Sequence, residues 1–133
     1  MANSNDPVTI LVVDDDLDNR TIARETLEAG GFRICEAADG LEALEIAARE
    51  KPSLVFLDLS MPKMDGWQAV GRMKADPQMR GIPVIAFTAH AMTQDRKKAL
   101  DAGCDDVLTK PCTPQSLLEK TAEWIKINEG GKT

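Results

Sequence analysis

Ile10-Leu11-Val12-Val13-Asp14-Asp15 sets four apolar residues in a row and stops on two carboxylates. So short and continuous an apolar run is the pattern of a strand buried on both faces of a parallel sheet. The pattern returns further along the chain. Leu54-Val55-Phe56-Leu57 runs into Asp58, Val84-Ile85-Ala86-Phe87 into Thr88, and Val107-Leu108-Thr109 into Lys110. In an open parallel sheet the strand C-termini share one edge, and ligands bind there in the crevice at the topological switch point. Three carboxylates, one hydroxyl and one ammonium, scattered through the sequence, are therefore expected on a single edge. Together they make a divalent-metal and phosphoryl site.

Helical patterns fill the gaps between strands. The first strand is expected over about Val8 to Val13, and a helix from about Asp18 to Ala29. Ile22, Ala23, Thr26 and Leu27 form one stripe of that helix, with Gly30-Gly31 as its stop. Phe32 to Glu36 is the shortest and least apolar strand, which suits an edge position. Asp39-Gly40-Leu41-Glu42 reads as a capping box, with Asp39 as N-cap and Glu42 reaching back. Leu41, Leu44 and Ala48 supply the core stripe of the helix it opens, and Pro52 ends it.

Ser53 to Leu57 is the third strand, Asp58 to Asp65 a loop, and Gly66 the start of a helix carrying Trp67, Val70 and Met73. Ile82 to Phe87 is the fourth strand, with Pro83 tolerable only near its start. A fourth helix spans about Thr93 to Ala102 and ends at Gly103. Cys104 to Thr109 is the fifth strand, whose Asp105-Asp106 pair suggests a second exposed edge. Thr113-Pro114 is an N-cap and first-turn pair for a last helix reaching about Asn128. Strict alternation with short connections predicts an α/β three-layer sandwich, a parallel sheet with right-handed crossovers and helices on both faces. The expected organisation is an extension over 1–7, one domain over 8–128 and a polar tail over 129–133.

Composition narrows the function classes. The 133 residues suit one domain, and 43% hydrophobic with 29% charged residues is a globular balance that needs no disulfide or structural metal. A net charge of −6 argues against a nonspecific grip on nucleic acid. No apolar run is long enough to span a bilayer, and Met1 to Asp6 has none of the regions of a signal peptide. Cys35, Cys104 and Cys112 show no paired spacing and read as free thiols of a reducing cytoplasm.

The expected site chemistry follows from the residue types. Carboxylates gathered within about 4–6 Å repel one another by several kcal/mol at an effective dielectric near 20, unless a cation offsets them. All-oxygen ligation points to a hard ion such as Mg²⁺, which keeps several waters and accepts phosphate oxygens. Lys110 can pair with Asp58 at rest and with a phosphoryl oxygen afterwards, while Thr88 offers a hydroxyl from the other side. Asp58 is then a nucleophile that attacks phosphorus in line and becomes an aspartyl phosphate. Ala89 is small enough to leave the phosphorus accessible. Singly, each residue has an ordinary explanation, since an Asp after a strand is commonly a turn or N-cap residue. Their joint occurrence on the first, third, fourth and fifth strands does not.

Val12-Val13-Asp14-Asp15, Leu57-Asp58 through Asp65-Gly66, Phe87-Thr88-Ala89, and Gly103-Cys104-Asp105-Asp106 through Lys110-Pro111 make the chain resemble a bacterial response-regulator receiver domain over essentially its whole length. Asn19-Arg20 and Thr88-Ala89-His90-Ala91-Met92 are similar to single-domain, chemotaxis-type regulators and to receivers of hybrid histidine kinases. The resemblance implies a flavodoxin-like (βα)5 fold with strand order 2-1-3-4-5, an arrangement long attributed to such chemotaxis regulators. It implies that Asp58 takes its phosphoryl group from a phosphohistidine on a histidine kinase or phosphotransfer protein. Asp15, Asp58 and the Ser60 backbone carbonyl would bind Mg²⁺, with Asp14 acting through a water. Lys110, followed by a cis Pro111, would hold the phosphoryl oxygen, and Thr88 would swing toward the phosphate. A downstream protein would dock on the face of the fourth helix, fifth strand and fifth helix. The module would be a cytoplasmic, self-phosphorylating and self-dephosphorylating switch rather than an enzyme, with no DNA-binding output domain and no membrane partner.

One departure stands out. The family's usual aromatic switch, three residues before the lysine, is Val107 here, and the chain has no Tyr. Output coupling would have to rely on Thr88 and the loop into the fourth helix. His90, the only histidine, either lines the phosphoryl pocket and with Ser60 tunes water access, or simply faces solvent. Trp67 and Trp124 are expected between helix and sheet layers, and Met61, Met64 and Met92 in loop packing at the site's rim. Cys104 and Cys112 could approach one another, without enough ligands for a metal. The enzyme rival is a Mg²⁺-dependent aspartyl phosphohydrolase, but Ser60 occupies the place of its acid/base Asp. A phosphorylation-independent adaptor would not need the acidic, Thr and Lys positions. A flavin site would need a phosphate cradle where the loop after Val13 is acidic.

Overall fold

The computed structural model describes residues 8–59, 66–88, 93–109 and 113–130, with the side chains of 93–95 and 127–130 left aside. Five strands and five helices alternate: Thr9–Val13 (β1), Leu17–Ala29 (α1), Arg33–Ala37 (β2), Gly40–Glu50 (α2), Leu54–Asp58 (β3), Gly66–Ala75 (α3), Val84–Thr88 (β4), Thr93–Ala102 (α4), Asp106–Thr109 (β5) and Pro114–Gly130 (α5). The strands form one sheet in the order β2-β1-β3-β4-β5. Every pairing is parallel. The chain moves from β1 outward to β2, then back across β1 to β3, so the order reverses between β1 and β3. That reversal opens the crevice expected of such sheets.

Alternation along the strands splits the core into two layers, because successive side chains point to opposite faces. Leu11, Val13, Val55, Leu57, Val84, Ala86 and Val107 pack with the buried residues of α2, α3 and α4. Ile10, Val12, Leu54, Phe56, Ile85 and Phe87 pack with Ala23, Leu27 and Leu117 of α1 and α5. The Phe56 and Phe87 rings stack with centroids 5.4 Å apart, just below the site edge. Each fully buried Leu, Ile or Phe contributes about 1.5–3 kcal/mol in transfer free energy. Leu57 and Phe87 carry that packing up to the residues that end β3 and β4, so the site edge rests on rigid structure. Trp67 and Trp124 lie against the two layers as expected.

Local signals explain most element ends. Gly31 takes φ 95°, and the Gly31 and Phe32 amides donate to Glu28 and Leu27 at 3.0 and 3.2 Å, a Schellman stop for α1. Asp39 accepts from the Glu42 amide at 2.8 Å, and Glu42 reaches back to the Ala38 amide at 2.7 Å. The box is as read, displaced by one donor. Thr113 caps α5 through the Ser116 amide at 3.0 Å.

Several expectations need correction. Ile22 is 61% exposed and not part of the α1 stripe, which is Ala23 and Leu27. Leu41 is 52% exposed and Ala48 lies outside the core; α2 buries Gly40, Ala43, Ile46 and Ala47. The small residues let α2 lie close to the sheet, and the larger Leu41 is turned away. At the other edge, β5 begins at Asp106 rather than Cys104, and α5 runs to Gly130, past Asn128. As expected, β5 is the second edge strand of the sheet; of the acidic pair at its start Asp105 is exposed, while Asp106 is buried.

Candidate functional site

The register aligns the strand ends that the sequence singles out. Val13 pairs with Leu57 and Asp58 with Phe87, so Asp14, Asp58 and Thr88 leave the sheet at neighbouring positions. One carboxylate oxygen from each of Asp14, Asp15 and Asp58 lies within 4.8 Å of the others. Asp14 and Asp58 are buried, and Asp15 is exposed at the mouth. Such a cluster is an all-oxygen donor set of the kind that suits a hard divalent cation.

The turn after β1 is held along its main chain. The Asp14 amide donates to the Ala37 carbonyl of β2 at 3.1 Å. Its carboxylate accepts from the Asp16 amide at 2.9 Å, and its carbonyl accepts from Arg20 Nη1 at 2.7 Å. Asp16 in turn caps α1 by accepting from the Asp18 amide at 2.9 Å. On the other side, the Leu59 amide donates to the Phe87 carbonyl at 3.1 Å. A Cβ on Gly66 would meet the Asp58 carbonyl oxygen at 2.9 Å, so only glycine lets α3 start this close to the Asp58 backbone.

Thr88 ends β4 half-buried, in register with Thr109 of β5. Val107, at the aromatic-switch position, is buried in the layer under α2, α3 and α4. Ser60, Ala89, His90 and Lys110 lie outside the described residues, as do Met61, Met64, Met92, Pro111 and Cys112.

Two networks escaped the sequence reading. Arg20 donates Nε to Glu36 at 3.0 Å and Arg24 donates Nη1 to the same carboxylate at 2.8 Å. Burial pushes the Glu36 carboxyl up, but hydrogen bonds from Arg24 and Arg20 outweigh it and hold it below the usual range. Arg20 and Arg24 stand one helical turn apart, the only sequence hint of a shared partner. At the opposite side of the sheet, Asp106 accepts from Lys120 Nζ at 2.8 Å, Trp124 Nε1 at 2.9 Å and the Val107 amide at 2.8 Å. Arg96 of α4 approaches it at 3.6 Å. Burial raises the Asp106 carboxyl, and the Lys120 and Trp124 bonds outweigh that and lower it. Cys104, buried beside Asp105, is pushed up to about 11 by burial and by that neighbouring charge, which leaves it an inert thiol at neutral pH.

Comparison with known proteins meets this geometry from outside. The chain is 42% identical over 115 residues to an uncharacterized 14.6 kDa protein of Leptolyngbya boryana, covering 86% of this chain and 88% of that one. It is 31% identical over 119 residues to the polar-differentiation response regulator DivK of Brucella anthropi, covering 90% and 97%. Its fold superposes with TM-score 0.84 and 33% identity on the receiver domain of the sensor histidine kinase PA1611 from Pseudomonas aeruginosa, covering 91% and 99%. That structure is described with a magnesium ion coordinated in its active-site cleft. The response regulator receiver domain model matches residues 10–122, a span that runs from β1 past β5 and includes the acidic turn after β1. The chain therefore belongs to the response regulator receiver domain family, the CheY-like signalling module of two-component systems.

Proposed function

We propose that Asp58 is the phosphoacceptor of this receiver, taking its phosphoryl group from a phosphohistidine on a histidine kinase or histidine phosphotransfer protein. The observation that carries the reading is the gathering of Asp14, Asp15 and Asp58 at the switch-point edge, their oxygens within 4.8 Å of one another. Asp15, Asp58 and the Ser60 carbonyl would hold Mg²⁺, with Asp14 acting through a water. The ion's chemistry there is to neutralise charge on the phosphoryl oxygens. An Asp58 carboxylate oxygen forms the new O–P bond as the P–N bond to the donor imidazole breaks. The imidazole nitrogen keeps the electron pair and takes up a proton. Lys110 supplies a positive charge to the phosphoryl oxygens, and Thr88 donates its hydroxyl as the signal-bearing contact, with small Ala89 leaving the approach open. Ser60 and His90 would modulate the access of water.

Output is by docking of a protein on the α4–β5–α5 face, at a cytoplasmic site of action and without nucleic acid. Val107 supports a muted response on that face, since its side chain is small and already buried. No helix of the described residues is long and apolar enough to cross a membrane, and Cys35 and Cys104 are free thiols. Incubating the purified chain with acetyl phosphate and Mg²⁺ tests the assignment. The expected result is one hydroxylamine-labile phosphate per chain, dependent on Mg²⁺ and absent from Asp58→Asn. Equal labelling of Asp58→Asn, or none of the wild type, overturns it. Steady turnover of p-nitrophenyl phosphate would favour a phosphohydrolase instead.

A further inference from the structure

Asp15 is exposed, and nothing in its own burial fixes it beside Asp14 and Asp58. What fixes the turn that carries it is the main chain of Asp14. The amide of that residue is tied to β2 through Ala37, and its carbonyl to α1 through Arg20 at 2.7 Å. Arg20 is itself held, because its Nε donates to Glu36 on β2 at 3.0 Å while Arg24 bonds the other oxygen of that carboxylate at 2.8 Å. The Arg20 and Glu36 side chains are 16% and 25% exposed, so this clamp is largely withdrawn from solvent. A planar guanidinium that binds two acceptors at once fixes direction as well as distance, which a single ammonium cannot do.

We propose that Arg20 is a positioning residue for the cation pocket: by bonding the Asp14 carbonyl while anchored on Glu36, it holds the β1–α1 turn with the Asp15 carboxylate already converged on Asp14 and Asp58. This inference rests on the functional reading above. It makes a prediction whose sign separates positioning from charge. Arg20 is a cation close to a cation site, so by Coulomb's law alone its removal tightens Mg²⁺ binding. If its work is positional, removal weakens binding, as loss of the partners that orient metal ligands does, by roughly ten- to a hundredfold.

The experiment measures Mg²⁺ dissociation constants by calorimetry on the unphosphorylated full chain, for wild type, Arg20→Gln, Arg20→Lys and Glu36→Gln. Arg20→Gln is expected to bind about tenfold more weakly, with Arg20→Lys recovering part of the loss and Glu36→Gln falling between Arg20→Gln and wild type. In metal-free buffer the Asp15 and Asp16 amides of Arg20→Gln should exchange faster than those of wild type, while amides at the centre of β3 do not. That second readout needs no cation. Arg20→Gln binding Mg²⁺ as tightly as wild type, or more tightly, overturns the proposal and leaves the functional reading standing. A wild type that binds no Mg²⁺ at millimolar concentration defeats both. Should Arg20→Gln fail to fold, equal affinities for Arg20→Lys, Glu36→Gln and wild type overturn the proposal in its place.

Discussion

Asp58 and Asp106 are both buried aspartates on strands of one parallel sheet, but Asp58 is grouped with other acids and Asp106 with cations. At the end of β3, three carboxylates converge within 4.8 Å. At the start of β5, one carboxylate is surrounded by Lys120, Trp124, the Val107 amide and, farther off, Arg96. Burial makes both charges costly. In the second case the chain supplies the compensation itself, and the result ties α5, with a weaker approach from α4, to β5. In the first it sets three carboxylates side by side, whose mutual repulsion a bound cation would relieve.

The largest stability effect that could break this contrast is at Asp106. Asp106→Ala leaves the Lys120 ammonium and the Trp124 N–H without their shared acceptor, at a cost of about 2–4 kcal/mol. Urea denaturation of the two proteins in parallel checks it. A loss under half a kcal/mol would mean that Lys120 and Trp124 find water as readily as they find the carboxylate, and that the network is ornamental.

The matching substitution at the acidic pocket should act with the opposite sign. In metal-free buffer Asp58→Asn removes one of three mutually repelling charges and is expected to gain about 1 kcal/mol. Added Mg²⁺ should reverse the ranking, because a ligand at a hundred times its dissociation constant stabilises the folded state by about 2.7 kcal/mol. Wild type gains that increment and Asp58→Asn does not. Denaturation midpoints of both proteins with and without Mg²⁺ make the test, and parallel lines in place of a crossing would count against cation binding at these acids.

The contrast also marks what the sequence exposes. The convergence of Asp14, Asp15 and Asp58 was legible because each ends or directly follows a strand, and parallel strands put their ends on one edge whatever their separation in the chain. The capping box, the glycine stop of α1 and the Thr113 cap were likewise readable, since a cap involves neighbours within a few residues. Helix faces were harder. In α2 the larger Leu41 suggested a core position, but the helix turns Gly40, Ala43, Ile46 and Ala47 to the core with Leu44 packed at its margin, and Leu41 faces outward. In α1, Ile22 sits one residue, or about 100°, away from the buried Ala23. The Arg20 and Asp106 networks were hidden for a different reason. One arginine can reach both Glu36 and the Asp14 carbonyl only because β2 pairs with β1, and Asp106, though on an edge strand, is buried against Lys120 and Trp124 of α5. Long-range side-chain partners belong to topology, and local pattern does not contain them.

The smallest effect lies in the acid limb of stability, where Asp106 has a defined sign. Hydrogen bonds from Lys120 and Trp124 outweigh burial and hold its carboxyl below the ordinary value of 3.8. A carboxyl lowered on folding binds its proton less tightly in the native state than in the unfolded one. Its contribution is therefore fully present above the ordinary Asp range and is lost as pH falls through the lowered native value. Asp106→Asn removes that proton linkage, so its stability should change less than that of wild type between about pH 4 and pH 2. At neutral pH the variant is simply less stable by a constant offset. Denaturation midpoints across that range, plotted as the difference between the two proteins, should narrow only on the acid side. A gap that stayed constant to pH 2 would mean that Asp106 titrates alike in both states, and that Lys120 and Trp124 favour its charged form no more than water does.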